Sequence, residues 1–109
     1  MATVIINDAT IKTNYSDSYA LYLNDNGLVE LVNGTVISAN AATNKSNDGT
    51  ISIKGGTVSG QVKNYYDGTI NVSGGTINNT SGAGILNGDS TSVDKSGTIN
   101  ITGDRKSVV

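Results

Sequence analysis

Aliphatic and polar residues alternate over short stretches of this chain. Ile51 and Ile53 flank Ser52, and Ile70 and Val72 flank another polar residue. Since successive side chains of an extended strand point to opposite sides, a period of two places the aliphatic residues on one face and the polar residues on the other. The pattern predicts short strands in which Ile53 and Val72 are buried and the intervening polar residues face outward.

Each alternating stretch belongs to a longer repeated unit, G-T-[IV]-x-[IV]-x-G-G-T-[IV]. Copies without gaps, the last of them shorter, begin at Ala2, Gly27, Gly49, Gly68 and Gly97. Glycine adopts positive φ at no steric cost, so we expect the Gly-Gly step, or Asn-Gly or Asp-Ala in its place, to end one strand and turn the chain. A second aliphatic column follows this corner, at Ile11, Val36, Val58 and Ile77.

A third, weaker element ends in asparagine, at Asn24, Asn44, Asn64 and Asn87. These asparagines are 20, 20 and 23 residues apart, whereas the unit starts are 25, 22, 19 and 29 apart, so the length differences fall in loops. A repeat of about twenty residues with three short strands indicates a solenoid, in which each coil buries its apolar face against the next. We expect the four asparagines to stack as a ladder, about 4.8 Å apart along the axis.

Three strands per coil, with asparagine at one corner and GGTI or GGTV at another, resemble the right-handed parallel β-helix of the pectate-lyase-like kind. The string G-T-I-x-[IV]-x-G-G-T-[IV], carried by residues 49–58 and 68–77, is similar to the glycine-rich repeats of large adhesin-like proteins on bacterial surfaces. The expected fold is therefore all-β, one right-handed parallel β-helix (solenoid) domain over residues 1–109 with about four to five coils of three short strands. A β-sandwich would also alternate, but it would not require the same residue type at corresponding positions of successive units.

The amino-acid composition excludes several classes of function. Leu, Ile and Val number 26 of 109 residues, and Gly, Asn, Thr and Ser together number 53, while Cys, His, Pro, Phe and Trp are absent. Without Cys or His the chain has no disulfide framework, cysteine nucleophile or histidine-based catalysis. The 7 basic and 9 acidic residues form no run, and no apolar stretch is long enough to span a membrane, so we expect neither a nucleic-acid partner nor membrane insertion.

Polar residues that recur at the corners have structural interpretations. Asp48 and Asp67 each precede glycine, which is typical of a turn between strands, so we expect no metal site at these aspartates. We also expect no cofactor and no catalytic residue in the rest of the chain. Threonines follow the corners in two columns, and stacking at a corner explains them better than a flat ice-binding array, which would pair threonines as Thr-x-Thr. The columns are Thr50, Thr69 and Thr98, and Thr10, Thr35, Thr57 and Thr76.

Two groups of residues are candidates for ligand contact. Tyr65 and Tyr66, with Tyr19, are predicted to form an aromatic platform on which a sugar ring stacks, although tyrosine is also common in strands. The loop over residues 87–96 departs furthest from the repeat, and Asp89 and Asp94 within it are candidate contacts, with a solvated insertion as the alternative. The expected partner is a carbohydrate or another host-surface ligand.

The function expected from the repeats and the resemblance is that of a non-catalytic structural or adhesive module of a bacterial cell-surface protein. A phage tail-fibre or spike segment that binds a receptor is the alternative, and a polysaccharide-acting β-helix enzyme is third. The chain contains no signal peptide, so an extracellular or cell-surface location implies that it is a fragment of a longer array. Its first strand, from Thr3 to Ile6, is uncharged and β-prone, and we expect end-to-end self-association through that N-terminal edge.

Overall fold

Most strands of this protein begin or end beside the glycine and asparagine corners of the repeat, and two longer strands run through a corner. The computed structural model describes residues 2–14, 19–79, 82–88, 97–102 and 107–108, and these residues form strands without any helix. None of them therefore belongs to a helix long and apolar enough to cross a membrane. The strands are β1 (Ala2–Lys12), β2 (Tyr19–Leu23), β3 (Gly27–Ile37), β4 (Asn40–Asn44), β5 (Thr50–Ile53), β6 (Thr57–Ser59), β7 (Val62–Asn64), β8 (Thr69–Val72), β9 (Thr76–Asn78), β10 (Ile85–Asn87), β11 (Thr98–Ile101) and β12 (Ser107–Val108).

The strands stack in parallel as three faces of a β-solenoid of about 4 turns, which confirms the predicted fold class. Strands β1 and β3 are long enough to turn a corner, and each contributes to two faces. The first face contains β1, β3, β5, β8 and β11, and the second contains β1, β3, β6, β9 and β12. The third face contains β2, β4, β7 and β10.

The pairing register stacks like residues on like and fills the interior. On the first face Leu31 pairs with Ile53, which pairs with Val72 one coil further on. Ile53 and Val72 are each 1% exposed, as predicted. Removing an aliphatic side chain of this size from water contributes about 1.5–3 kcal/mol, so stacked columns stabilise a narrow core that has no Phe or Trp. The second face continues this core with Ile11, Val36, Val58 and Ile77, and the third face with Leu21, Ala42, Val62 and Ile85.

The corner between the first and second faces depends on positive φ. Gly34, Gly56 and Gly75 have φ of 121°, 80° and 81°, and they lie at this corner in successive coils. A Cβ atom on Gly56 would lie 2.5 Å from the main-chain oxygen of Gly34 in the preceding coil, so a side chain is excluded by contact as well as by conformation. In the first coil Asp8 adopts the left-handed conformation instead, with φ of 65°.

The asparagine ladder forms, but Asn24 is not part of it. Asn44 pairs with Asn64 and Asn64 with Asn87, whereas Asn44 pairs on its other side with Leu23. The prediction for Asn24 is therefore wrong. Alternation in β2 turns Leu21 and Leu23 toward the interior, and the register that packs them there leaves Asn24 one position beyond the corner and exposed.

Candidate functional site

Aromatic and basic side chains gather on and beside the third face. Tyr19 and Tyr22 belong to β2, Lys63 belongs to β7, and Tyr65 directly follows β7. We call the complete set the Tyr–Lys patch, and it consists of Tyr19, Tyr22, Lys45, Lys63, Tyr65 and Tyr66. The platform predicted from Tyr19, Tyr65 and Tyr66 thus lies within a larger cluster, while Asp89 and Asp94 lie outside the described residues.

The strand register brings these side chains together from three coils. Because Asn44 pairs with Asn64, the residues that follow them, Lys45 and Tyr65, are neighbours across one coil rise. The main-chain nitrogen of Tyr65 donates to the oxygen of Asn44 at 2.9 Å and fixes this alignment. Tyr22 and Lys63 share a second column, separated by Thr43 of the intervening coil.

Thr43 shows how closely the patch covers the sheet. It alternates with Ala42 and Asn44, which face the interior, so its own side chain faces outward. It is nevertheless only 1% exposed, and Tyr22 and Lys63 are its neighbours in register. The large side chains of the patch therefore pack over the sheet instead of extending into solvent.

The tyrosine rings form two tilted pairs. The ring centroids of Tyr19 and Tyr22 are 4.9 Å apart with an interplanar angle of 55°, and those of Tyr65 and Tyr66 are 6.1 Å apart at 56°. Both separations lie in the range in which aromatic pairs attract each other. Tyr19 and Tyr22 are the more exposed pair, at 39% and 43%, so their rings are accessible to a ligand.

Two ammonium groups lie over the ring of Tyr65. The Nζ atom of Lys63 is 4.1 Å from the ring centroid and that of Lys45 is 5.2 Å away. Cations within about 6 Å of an aromatic face are attracted by its quadrupole. Tyr65 therefore attracts two lysines from neighbouring coils at the centre of the patch.

Two groups of the patch, Tyr19 and Lys45, have pKa values that are shifted by their neighbours. The pKa of Tyr19 is raised, first by burial and then by electrostatic interaction and a side-chain hydrogen bond with Tyr65. The pKa of Lys45 is also raised, chiefly by interaction with Tyr22 and then with Tyr66. At neutral pH the side chain of Lys45 is consequently positively charged, and the hydroxyl group of Tyr19 is protonated.

The sequence does not single out the two lysines as members of a site. Their sequence signal is weak, because Lys63 precedes the asparagine of its coil while Lys45 follows that of another. Only the alignment of Asn44 on Asn64 shows that both reach the same ring.

A shallow groove of about 310 Å³ follows the corner between the second and third faces. It is neutral, and the hydroxyl group of Thr13 donates to that of Ser38 at 2.8 Å within it. The lining residues are Thr13, Ile37, Ser38, Ala39, Ser59, Gly60, Asn78 and Asn79. None of these residues is an acid or a base, so the groove offers hydrogen-bonding groups but no pair for proton transfer.

The described residues contain no group of three or more His, Cys, Asp or Glu side chains placed to hold a metal ion. The tyrosines and lysines of the Tyr–Lys patch offer ring stacking, hydrogen bonding and attraction of anions. Comparisons of this chain with protein-family models, with curated proteins and with solved structures found no match.

Proposed function

We propose that this chain is a non-catalytic adhesive module, a β-solenoid segment of a bacterial cell-surface protein, and that the Tyr–Lys patch is its binding surface. The observation that carries the proposal is the convergence of four tyrosines and two lysines from three coils onto one face. Exposed tyrosine combines a large apolar ring with a hydrogen-bonding hydroxyl group, which suits recognition of sugars. The surface location rests on the resemblance of residues 49–58 and 68–77 to adhesin repeats.

The architecture supports adhesion because a solenoid presents side chains at regular intervals on a rigid face. Each coil repeats the same register, so Tyr22, Thr43 and Lys63 occupy one straight column. A polymeric ligand that lies along such a column meets successive contacts without requiring the protein to rearrange. Repeat proteins commonly bind through extended surfaces of this kind.

The experiment is a glycan-array and cell-binding assay with the labelled chain. Tyr22→Ser removes an accessible ring of the patch, and Ile5→Ser, on the first face, removes another exposed apolar side chain as the matched control. We expect the wild type and Ile5→Ser to bind and Tyr22→Ser to lose most of the binding while its thermal unfolding is unchanged. Equal binding by all three proteins, or none by the wild type, would contradict the proposal, and cleavage of a bound glycan would assign a reaction instead.

A further inference from the structure

The lysines of the Tyr–Lys patch differ from Lys54, at the corner between the first and second faces, in how their charges are compensated. Lys54 forms an ion pair with Glu30, with 3.1 Å between Nζ and Oε2. Within the part of the chain that the structure describes, no carboxylate lies within 4 Å of the ammonium group of Lys45 or Lys63. The rings of the patch attract these two cations without neutralising them.

The two cations stand beside the accessible rings. The main-chain nitrogen of Lys45 donates to the oxygen of Leu23, the residue after Tyr22, at 2.7 Å, which places Lys45 one coil from Tyr22. Lys63 lies in the same column as Tyr22, two coils further along the axis. A flat ligand stacked on Tyr22 therefore has one ammonium group next to it and a second in the direction of the column.

The positive charge is local, because the whole chain carries a net charge of −2. General attraction of polyanions is therefore not expected, and an anion bound here must be recognised by the two lysines together with the rings. Stacking alone would suit a neutral sugar, whereas two lysines that have no carboxylate within 4 Å among the described residues favour a negatively charged one.

We propose that the Tyr–Lys patch binds an acidic glycan, with sugar rings on Tyr19 and Tyr22 and their carboxylate or sulfate groups at Lys45 and Lys63. This inference rests on the proposed adhesive function and specifies its ligand class. Nucleic acid also combines flat rings with anionic groups, but two lysines on an acidic protein are far fewer than the phosphate contacts that nucleic-acid binding uses.

The test uses an array of acidic glycans, each beside its neutral counterpart, with uronic acids paired to the carboxyl-reduced sugars and sulfated glycans paired to the unsulfated ones. We expect the wild type to prefer the acidic member of at least one pair, and the preferred pair identifies the anionic group. Titration with that glycan is then repeated for Lys45→Gln/Lys63→Gln and for Lys54→Gln, a control that also removes positive charge.

The double variant is expected to bind the acidic glycan about tenfold more weakly or worse and to lose the preference for the acidic over the neutral member of the pair. Lys54→Gln should match the wild type. Equal binding of acidic and neutral glycans, or equal weakening by Lys54→Gln, would overturn the acidic ligand while leaving adhesion through the rings intact. Stronger binding of single-stranded DNA than of any glycan would also overturn it. Absence of binding to every glycan would count against the proposed function itself.

Discussion

The side-chain nitrogen of Asn44 donates a hydrogen bond to the main-chain oxygen of Thr69, 25 residues further along the chain, at 3.2 Å. The same nitrogen donates to the oxygen of Gly49 in its own coil at 2.9 Å. One buried side chain therefore ties a corner to the coil stacked on it. A Cβ atom on Gly68 would lie 2.5 Å from this nitrogen, which explains why the repeat begins with glycine next to the ladder.

Asn64 is the second asparagine of the ladder, and its replacement is expected to destabilise the folded protein. Asn64 donates to the oxygens of Gly68 at 3.0 Å and Thr98 at 3.2 Å, so Asn64→Ala removes both hydrogen bonds and leaves a space at the buried corner. We expect the free energy of unfolding to fall by about 1–3 kcal/mol, measured by denaturant titration. Asn24→Ala is the control, because Asn24 is exposed and outside the ladder, and equal losses in the two variants would contradict this assignment.

Two substitutions at the positive-φ corner between the first and second faces are expected to change the stability of the protein in opposite directions. Gly56→Ala should destabilise the protein by more than about 1 kcal/mol. The new methyl group would clash with the main chain of Gly34, and alanine disfavours the positive φ of this position. Asp8→Gly should stabilise it by about 0.5–1 kcal/mol, because φ of 65° is strained for aspartate. Thermal unfolding of both variants measures the effects, and a stabilising Gly56→Ala would show that the corner is not as described.

The raised pKa of Tyr19 makes stability depend on alkaline pH. In the unfolded chain tyrosine titrates near its ordinary value of about 10, whereas the folded state holds the proton more tightly. The contribution of Tyr19 is therefore complete below pH 10 and is lost as the pH rises through the higher folded pKa. Denaturant titrations on both sides of this range should show the loss, and Tyr19→Phe should reduce it. Identical slopes in the two proteins would rule out Tyr19 as the source.

The open edge of β1 is expected to support association of isolated copies. In the described residues β1 pairs only with β3, and Val4 and Ile5 are 52% and 61% exposed. The part of β1 from Thr3 to Ile6 is uncharged, and such an edge attracts further strands, so sedimentation should show self-association that rises with concentration. Charge introduced by Val4→Lys should reduce it.

The choice of edge substitution follows from burial. Ile6 is nearly buried and belongs to the core, so Ile6→Lys would unfold the first coil instead of testing the edge. Ser73→Lys, which places the same charge on an exposed position after β8, three coils from β1, is the control and should associate like the wild type. A wild type that stays monomeric at high concentration would show that this edge does not pair.

The sequence by itself determined the strands, the three-sided coil and the interior columns. Alternation assigns Ile53 and Val72 to one side of their strands, and recurrence every coil stacks them, because both properties depend only on local backbone geometry and repetition. The tertiary structure decided which residue of one coil stacks on which residue of the next. It placed Leu23 under Asn44 in place of Asn24, and it brought Lys45 and Lys63 to one tyrosine ring. The loops that separate the coils differ in length, so residue spacing along the chain does not determine the register between neighbouring coils. Packing and hydrogen bonding between the stacked coils fix that register.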